Sequence, residues 1–285
     1  MNLASLSLSE LEVQELEKLL AIASHQPPEV EDIWKMMDDV WNELGCNART
    51  LEPSKIDSFY RHPVWILNGL FIEQDKQSMQ SRTAIVDWIN ARRNEVQSLL
   101  DYGGGFGTFA RLAATANRDT NIDIFEPFPT NLAIENIKLY SNIQFIGSIQ
   151  QQYDCLVCLD VLEHVPDPLK LFANMVEATK LDGFLIIGNC FYPSIKCHLP
   201  QTFHLRYSFD FFAAQIGLEP MGLCPGSGYA MLYRKVQELS PSLNWSKIRS
   251  LEAISKTFFV ARTFLSSLYR KIKHSSNESP TTQHI

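Results

Sequence analysis

Through the first third of the chain, apolar residues recur at intervals of three and four; from Val96 onward they gather into short runs separated by helical segments. The first rhythm keeps a stripe on one side of a helix, whereas the second marks strands covered on both faces of a parallel sheet. Ser9-Glu10-Leu11-Glu12 has the form of a capping box and opens a predicted helix to about Ser24, with Leu8, Leu11, Leu16, Leu19 and Ala23 assigned to its apolar face. Val30, Ile33, Trp34, Met37, Val40, Trp41 and Leu44 predict a second helix, ended by Gly45. A loop holding Pro53 is expected next, then a helix from Pro63 through Ile72 and another from Ser78 to Arg93. Strands are predicted over 96–102, 121–126, 143–146, 153–159 and 184–189, with helices between them. Runs 218–224 and 229–236, joined by Pro225-Gly226-Ser227-Gly228, read as a closing antiparallel hairpin.

The pattern predicts an α/β fold with a seven-stranded, mostly parallel sheet and a terminal antiparallel hairpin. Its expected divisions are an N-terminal helical cap over 1–94, a core over 95–239, an amphipathic basic extension over 240–274 and a disordered tail over 275–285. With 285 residues and 45% hydrophobic composition, the chain has enough apolar surface for a substantial core. Residues 1–15 lack a basic region followed by an apolar stretch, and no run approaches the roughly 18 apolar residues needed to cross a bilayer. A cytoplasmic location is therefore expected. Six scattered cysteines, 46, 155, 158, 190, 197 and 224, fit reduced thiols better than a disulfide framework.

Charge divides the chain. Residues 240–285 hold seven Lys/Arg against two Asp/Glu, while residues 1–239 hold 18 against 30, so a tail of net +5 follows a body of net −12. An acidic body disfavours nucleic acid as a partner, because phosphate binding needs a clustered basic surface. In the tail, Ile248, Leu251, Phe258, Leu265, Leu268 and Ile272 fall at helical spacing among lysines and arginines. Such a helix can lie on an anionic membrane, dock on a partner or pack on its own body, so contact with the inner face of a membrane is one expectation.

Three segments carry the chemistry. The strand 96–102 runs into Asp101-x-Gly103-x-Gly105-x-Gly107 ahead of a helix, glycines that allow a sharp turn and close ligand approach. A dinucleotide fingerprint, Gly-x-Gly-x-x-Gly, fails at Thr108 or Ala110, and no Gly-Lys-Ser/Thr follows, which weakens nicotinamide and phosphate-loop readings. Glu126 ends the second strand, where an acid can accept both hydroxyls of a ribose. The run 153–165 is a buried strand ending in the polar cluster Asp160-Val161-Leu162-Glu163-His164, at the strand end where open α/β sheets bind ligands.

Together these segments resemble the class I, Rossmann-like S-adenosylmethionine (SAM) dependent methyltransferases, in particular the small-molecule, ubiquinone-type branch, over about 96–236. The Tyr102-Gly-Gly-Gly variant is also similar to enzymes of bacterial polysaccharide pathways. The resemblance implies that SAM is the cofactor, with Asp101, Gly103, Gly105 and Gly107 around its methionine part and Glu126 on the ribose. It further implies Phe128 beside the adenine, Ser148 and Ile149 lining the adenine pocket, and Asp160, Val161 and Leu162 bordering the sulfonium. Gly104 stands where many members carry Cys or another small residue, and glycine there is expected to be tolerated sterically.

Methyl transfer to a small-molecule, glycan or lipid-linked acceptor, at oxygen, is the expected reaction; a non-catalytic scaffold with the same fold is the alternative. Holding an aligned nucleophile near a sulfonium carbon supplies most of the acceleration, and a hydroxyl acceptor gains from a base. His164 and His204 are the candidate bases. Cys155 and Cys158 lie mid-strand at odd spacing, which sends them to opposite faces as core residues. Cys190, Cys197, His198 and His204 lack the spacing of a structural zinc site, and no metal is expected. Tyr60, His62 and Trp65 could line an acceptor pocket.

Overall fold

The computed structural model describes residues 3, 6–239 and 243–277, with 267–277 described through the backbone alone. Five helices come first. Ser9 caps α1 (Glu10–Ala21) by the expected reciprocal box, and α2 (Val30–Glu43) stops before Gly45, which adopts a φ of 64°. The segment around Pro53 is a helix, α3 (Pro53–Tyr60), rather than the expected loop; Pro53 sits in the first turn, where the missing N–H costs nothing. Then come α4 (Val64–Gln74) and α5 (Lys76–Asn90), the latter capped by Asp75. Leu16 and Leu19 of α1 are buried as expected, but Leu11 is 77% exposed, because the body covers only the other side of that helix.

Strands and helices then alternate through β1 (Ser98–Tyr102), α6 (Thr108–Ala116), β2 (Asn121–Phe125), α7 (Asn131–Ile137), β3 (Ile143–Ile146), β4 (Tyr153–Leu159), α8 (Pro168–Glu177) and β5 (Thr179–Gly188). β5 starts five residues earlier than its apolar run, since Thr179 already pairs with Tyr153 before an irregularity and the ladder resumes at Phe184. A 3-10 stretch (Pro200–Tyr207) leads to α9 (Phe209–Gln215), β6 (Leu218–Leu223) and β7 (Met231–Lys235). The sheet order is β3-β2-β1-β4-β5-β7-β6, parallel through β5, with β7 antiparallel to both neighbours. The order reverses between β1 and β4, leaving a crevice beyond their carboxyl ends.

Alternation along the strands builds two cores. Leu100, Leu156, Cys158 and Leu185 face α8 and α9, whereas Leu99, Cys155, Val157 and Ile186 face α5 and α6. The two cysteines thus fill opposite sides as their spacing predicts. A third core joins Leu16, Ile33, Trp41, Phe59 and Leu67 of the first four helices to Phe106 of the glycine loop and to Ile195 and Cys197 beyond β5. The helical cap is therefore packed onto the strand ends.

The C-terminal helix α10 (Trp245–Asn277) runs three residues past its expected end, while 278–285 lie outside the described residues. Its apolar positions do not form the single stripe expected from spacing. Ile248 is buried and Leu251 half-buried against the body, but Phe258 and Leu265 are exposed. No described helix is long and apolar enough to cross a membrane.

At the opposite end of the sheet, Asp154 ties the starts of three strands. Its Oδ2 accepts from the Gln97 and Ser98 amides (3.0 and 2.9 Å) and the Ser98 hydroxyl (2.8 Å), and Lys180 reaches Oδ1 at 2.7 Å. Burial pushes this carboxyl up, but the bonds outweigh it and hold it below the usual range. The stabilisation is therefore present above the ordinary carboxylate pKa and lost as pH falls through the lowered one. Asp154→Ala is expected to cost about 1–3 kcal/mol in urea unfolding at pH 7 and distinctly less near pH 3. An equal difference at both pH values would contradict this role.

Candidate active site

β1 carries Asp101 to the crevice, and the chain then turns tightly through Gly103–Gly107. Gly103 has a φ of 71°, and a Cβ there would lie 2.4 Å from Cγ2 of Val161 in the loop after β4. The two loops can meet only because that side chain is absent. Gly104 is accommodated as expected: a Cβ would come within 2.6 Å of the Asp101 carboxylate and 2.7 Å of Ile124, so glycine suits this turn where a larger residue would force a shift. Gly105 and Gly107 also adopt positive φ, the latter at the start of α6.

Glu126 projects from the end of β2 and accepts from the Gly105 and Phe128 amides, each at 3.0 Å. Burial raises its carboxyl and those two bonds oppose the rise. Asp101 is buried, its Oδ2 has no hydrogen-bond partner among the described residues, and burial pushes it up to about 7. The cation that opposes this rise is Arg82 of α5, which acts likewise on Asp160. Arg82 escapes sequence reading because nothing in the polar run of α5 marks it; only folding sets it beside the two acids. Ser148 and Ile149 follow β3 at the same end of the sheet, the first exposed and the second half-buried.

Past β4, Asp160 adopts a φ of 57° and accepts from the Tyr229 hydroxyl at 3.0 Å. Leu162 turns its side chain fully into the core, so only its backbone can border a ligand. Glu163 is fully buried; Oε1 accepts from the Cys190 amide at 2.6 Å and Oε2 has no partner among the described residues. Burial and repulsion from Asp160 raise it above the ordinary carboxylate range. Burial, aided by His198, lowers the His164 imidazole to about 3, which keeps it neutral. His198 donates from Nδ1 to the Tyr192 carbonyl at 2.7 Å, leaving Nε2 as an acceptor. Glu163, His164 and His198 offer ligand atoms within 4.8 Å of one another and could hold a divalent cation. This trio differs from the residues weighed for zinc on sequence: His198 belongs to it and Cys190 adjoins it through its amide bond to Glu163, but His204 is not a member.

His204 serves elsewhere. Its Nδ1 meets the Ser255 hydroxyl at 2.9 Å and its Nε2 lies 3.7 Å from Glu252, both on α10. The cap completes the site instead. Tyr60 stacks between Trp65 (5.2 Å) and Phe128 (5.8 Å), and the Tyr60 and Trp65 rings meet His164 edge-on at 6.3 and 6.2 Å. His62 stands apart from this wall, accepting from the Val64 amide at 3.1 Å. Gly69 of α4 receives the Phe106 ring where a Cβ would lie, and Glu73 bonds Thr108 at 2.8 Å and pairs with Arg111.

The raised Asp101 carboxyl predicts a pH signature. In the unfolded chain it ionises near 4 and in the folded chain near 7, so the stability it allows below pH 4 is lost as pH rises to about 7. Asp101→Asn, which cannot ionise, is expected to gain on the wild type by about 2–4 kcal/mol between pH 4 and 8. Parallel stability curves for the two proteins would rule this out.

Residues 73–209 match a family described as a methyltransferase domain. Among curated proteins, the ubiquinone biosynthesis O-methyltransferase of Rickettsia bellii (strain OSU 85-389) is 30% identical over 137 residues, 45% of this chain and 57% of its own. The protein of that name from Rickettsia canadensis (strain McKiel) is 34% identical over 114 residues, 36% and 48% of the two chains. The chain spans about half the length of the curated relatives it matches. Among solved structures, the CurJ carbon methyltransferase aligns with a TM-score of 0.49 at 11% identity, over 65% of this chain and 59% of that one. The N-methyltransferase NodS from Bradyrhizobium japonicum WM9 aligns at 0.44 and 15%, over 70% and 100%. Sheet order, glycine loop, strand-end acids and family match agree: this chain carries a methyltransferase domain of the class I, SAM-dependent kind.

Proposed function

We propose that the protein transfers a methyl group from SAM to a hydroxyl of a small, planar acceptor. The observation that carries this reading is the convergence of Asp101, Gly103 and Glu126 with the Asp160–Val161 loop at the reversal of strand order. These residues fit the cofactor. Asp101 has a free carboxylate oxygen, and Glu126 holds only two backbone amides, a share that leaves lone pairs for the ribose hydroxyls. Asp101, Gly103, Gly105 and Gly107 would surround the methionine part, with Arg82 answering its carboxylate. Phe128, Ser148 and Ile149 would take the adenine, and Asp160, Val161 and the Leu162 backbone the region of the sulfonium. When bound, SAM supplies a methyl group on a positively charged sulfur, ready for in-line displacement.

The chain's own residues then position the acceptor and take its proton. Residues 1–94 act as a cap over the core at 95–239, and their Tyr60 and Trp65 rings give an acceptor a flat wall beside His164. That wall favours an aromatic ring over a glycan, in line with the quinone pathway in the relatives' name. Glu163 has a raised carboxyl and a partnerless oxygen, so it receives the hydroxyl proton, while neutral His164 orients the hydroxyl. His204, bound to α10, holds that helix rather than the acceptor. The same reading admits a lipid-linked acceptor and a peripheral contact through α10.

Isothermal titration calorimetry with SAM, S-adenosylhomocysteine and NAD tests the cofactor. Both sulfur ligands are expected to bind, at least about tenfold more weakly in Gly105→Arg, Glu126→Ala and Arg82→Ala. Preference for NAD, or a folded protein that binds neither sulfur ligand, would overturn the proposal. In turnover with a phenolic acceptor, kcat/KM is expected to rise with pH as Glu163, raised by burial and by Asp160, loses its proton. Glu163→Gln should flatten that limb and lower kcat about 10–100-fold; an unchanged profile would remove Glu163 from the role of base.

A further inference from the structure

We infer that the outward face of α10 docks on an anionic membrane surface. One face of this helix is already occupied. Ile248 is buried, Glu252 is buried beneath Arg249 and Lys256 (both 2.7 Å), and Ser255 meets His204. Phe259 lies under the Arg206 guanidinium at 5.1 Å, and Arg262 covers the Tyr207 ring at 4.5 Å. Positions 248, 252, 255, 259 and 262 succeed one another at four and three residues, a continuous stripe held by the body.

A second stripe runs about a third of a turn away, at Ile254, Phe258, Ala261 and Leu265. Its three large members are each more than half exposed; Val260 and Phe264, also more than half exposed, lie further round the helix. The same spacing continues along the sequence at Leu268 and Ile272. So much exposed apolar surface on one helix marks a binding face.

Charge selects the occupant. From Ala253 to Asn277 the sequence holds five Lys/Arg (256, 262, 270, 271 and 273) and no Asp or Glu. The chain's own body is not the occupant, because it holds the other stripe. A second copy could match the spacing, since four-three repeats also suit paired helices. Lys256 is paired with Glu252 and Arg262 covers Tyr207, but two such helices side by side in parallel would still bring together Arg270, Lys271 and Lys273 of each, six cations with no acid in 253–277 to answer them. Anionic lipid answers both features: acyl chains take the apolar stripe and headgroups take the basic run Arg270, Lys271 and Lys273 that follows it in the sequence. The body, at net −12 over residues 1–239, is repelled by the same surface, so contact is confined to the helix and weakens with salt.

Co-sedimentation of the full chain with vesicles of phosphatidylcholine alone, or with about one-third phosphatidylglycerol, tests the inference. Binding to the anionic vesicles is expected to be at least about tenfold stronger, to fall as salt is raised, and to disappear in the double variant Phe258→Glu/Leu265→Glu. Both side chains are exposed, so the variant should keep its melting temperature and SAM affinity, which separates loss of docking from loss of fold. Equal binding to both vesicle types, no binding by folded protein, or wild-type binding by the variant would overturn the inference. So would a concentration-dependent dimer in sedimentation velocity that the double variant abolishes while vesicles bind neither protein. None of these outcomes bears on the methyl-transfer reading, which depends on the calorimetry.

Discussion

Four carboxyls, Asp101, Glu126, Asp160 and Glu163, crowd the carboxyl ends of three neighbouring strands, and the surrounding elements are arranged to answer that crowding. Burial raises all four, and repulsion from a neighbouring carboxylate adds to the rise at Asp101 and Glu163. The protein meets the cost piecemeal. Backbone amides serve Glu126, a tyrosine hydroxyl serves Asp160, an amide of the loop after β5 serves Glu163, and Arg82 tempers two of the four from α5. Two carboxylate oxygens, on Asp101 and Glu163, have no hydrogen-bond partner among the described residues. A folded chain keeps such an arrangement where a ligand will use it, and the sign of the field favours one that carries positive charge.

The cap belongs to the same construction. Its apolar interior takes in Phe106 from the glycine loop and Cys197 from the loop after β5, so the helices that shelter the crevice are also part of its walls. The aromatic wall of Tyr60, Trp65 and Phe128 spans that boundary, two rings from the cap and one from the loop after β2. The hairpin contributes from the other side: Tyr229 bonds Asp160 and occupies the space that a Cβ on Gly188 would fill.

Much of this plan was legible in the sequence because it rests on short-range rules. Alternation placed the strands, parity separated Cys155 from Cys158, and the glycine spacing with Glu126 marked the strand ends. What stayed hidden depends on residues brought together from afar. Arg82, Tyr229 and His198 come from three elements far apart in the chain and have no motif of their own. Pro53 reads as a breaker but opens a helix, and the fit of Gly104 against Ile124 is set by β2 rather than by its loop. Leu162 and His204 carry the opposite lesson: both had plausible chemistry by position, and tertiary packing gave one to the core and the other to a helix anchor.

The shared interior of cap and loop has a consequence for motion. Elements that pack into one apolar cluster tend to open together, and their joint opening costs more than fraying either alone. The ring of Phe106 fills the notch left by Gly69, so the cap helices cannot lift without uncovering a residue two positions from Gly104. Order in the floor of the crevice and order in the helices packed above it are thereby one cooperative unit: whatever fastens the loop from below also steadies those helices.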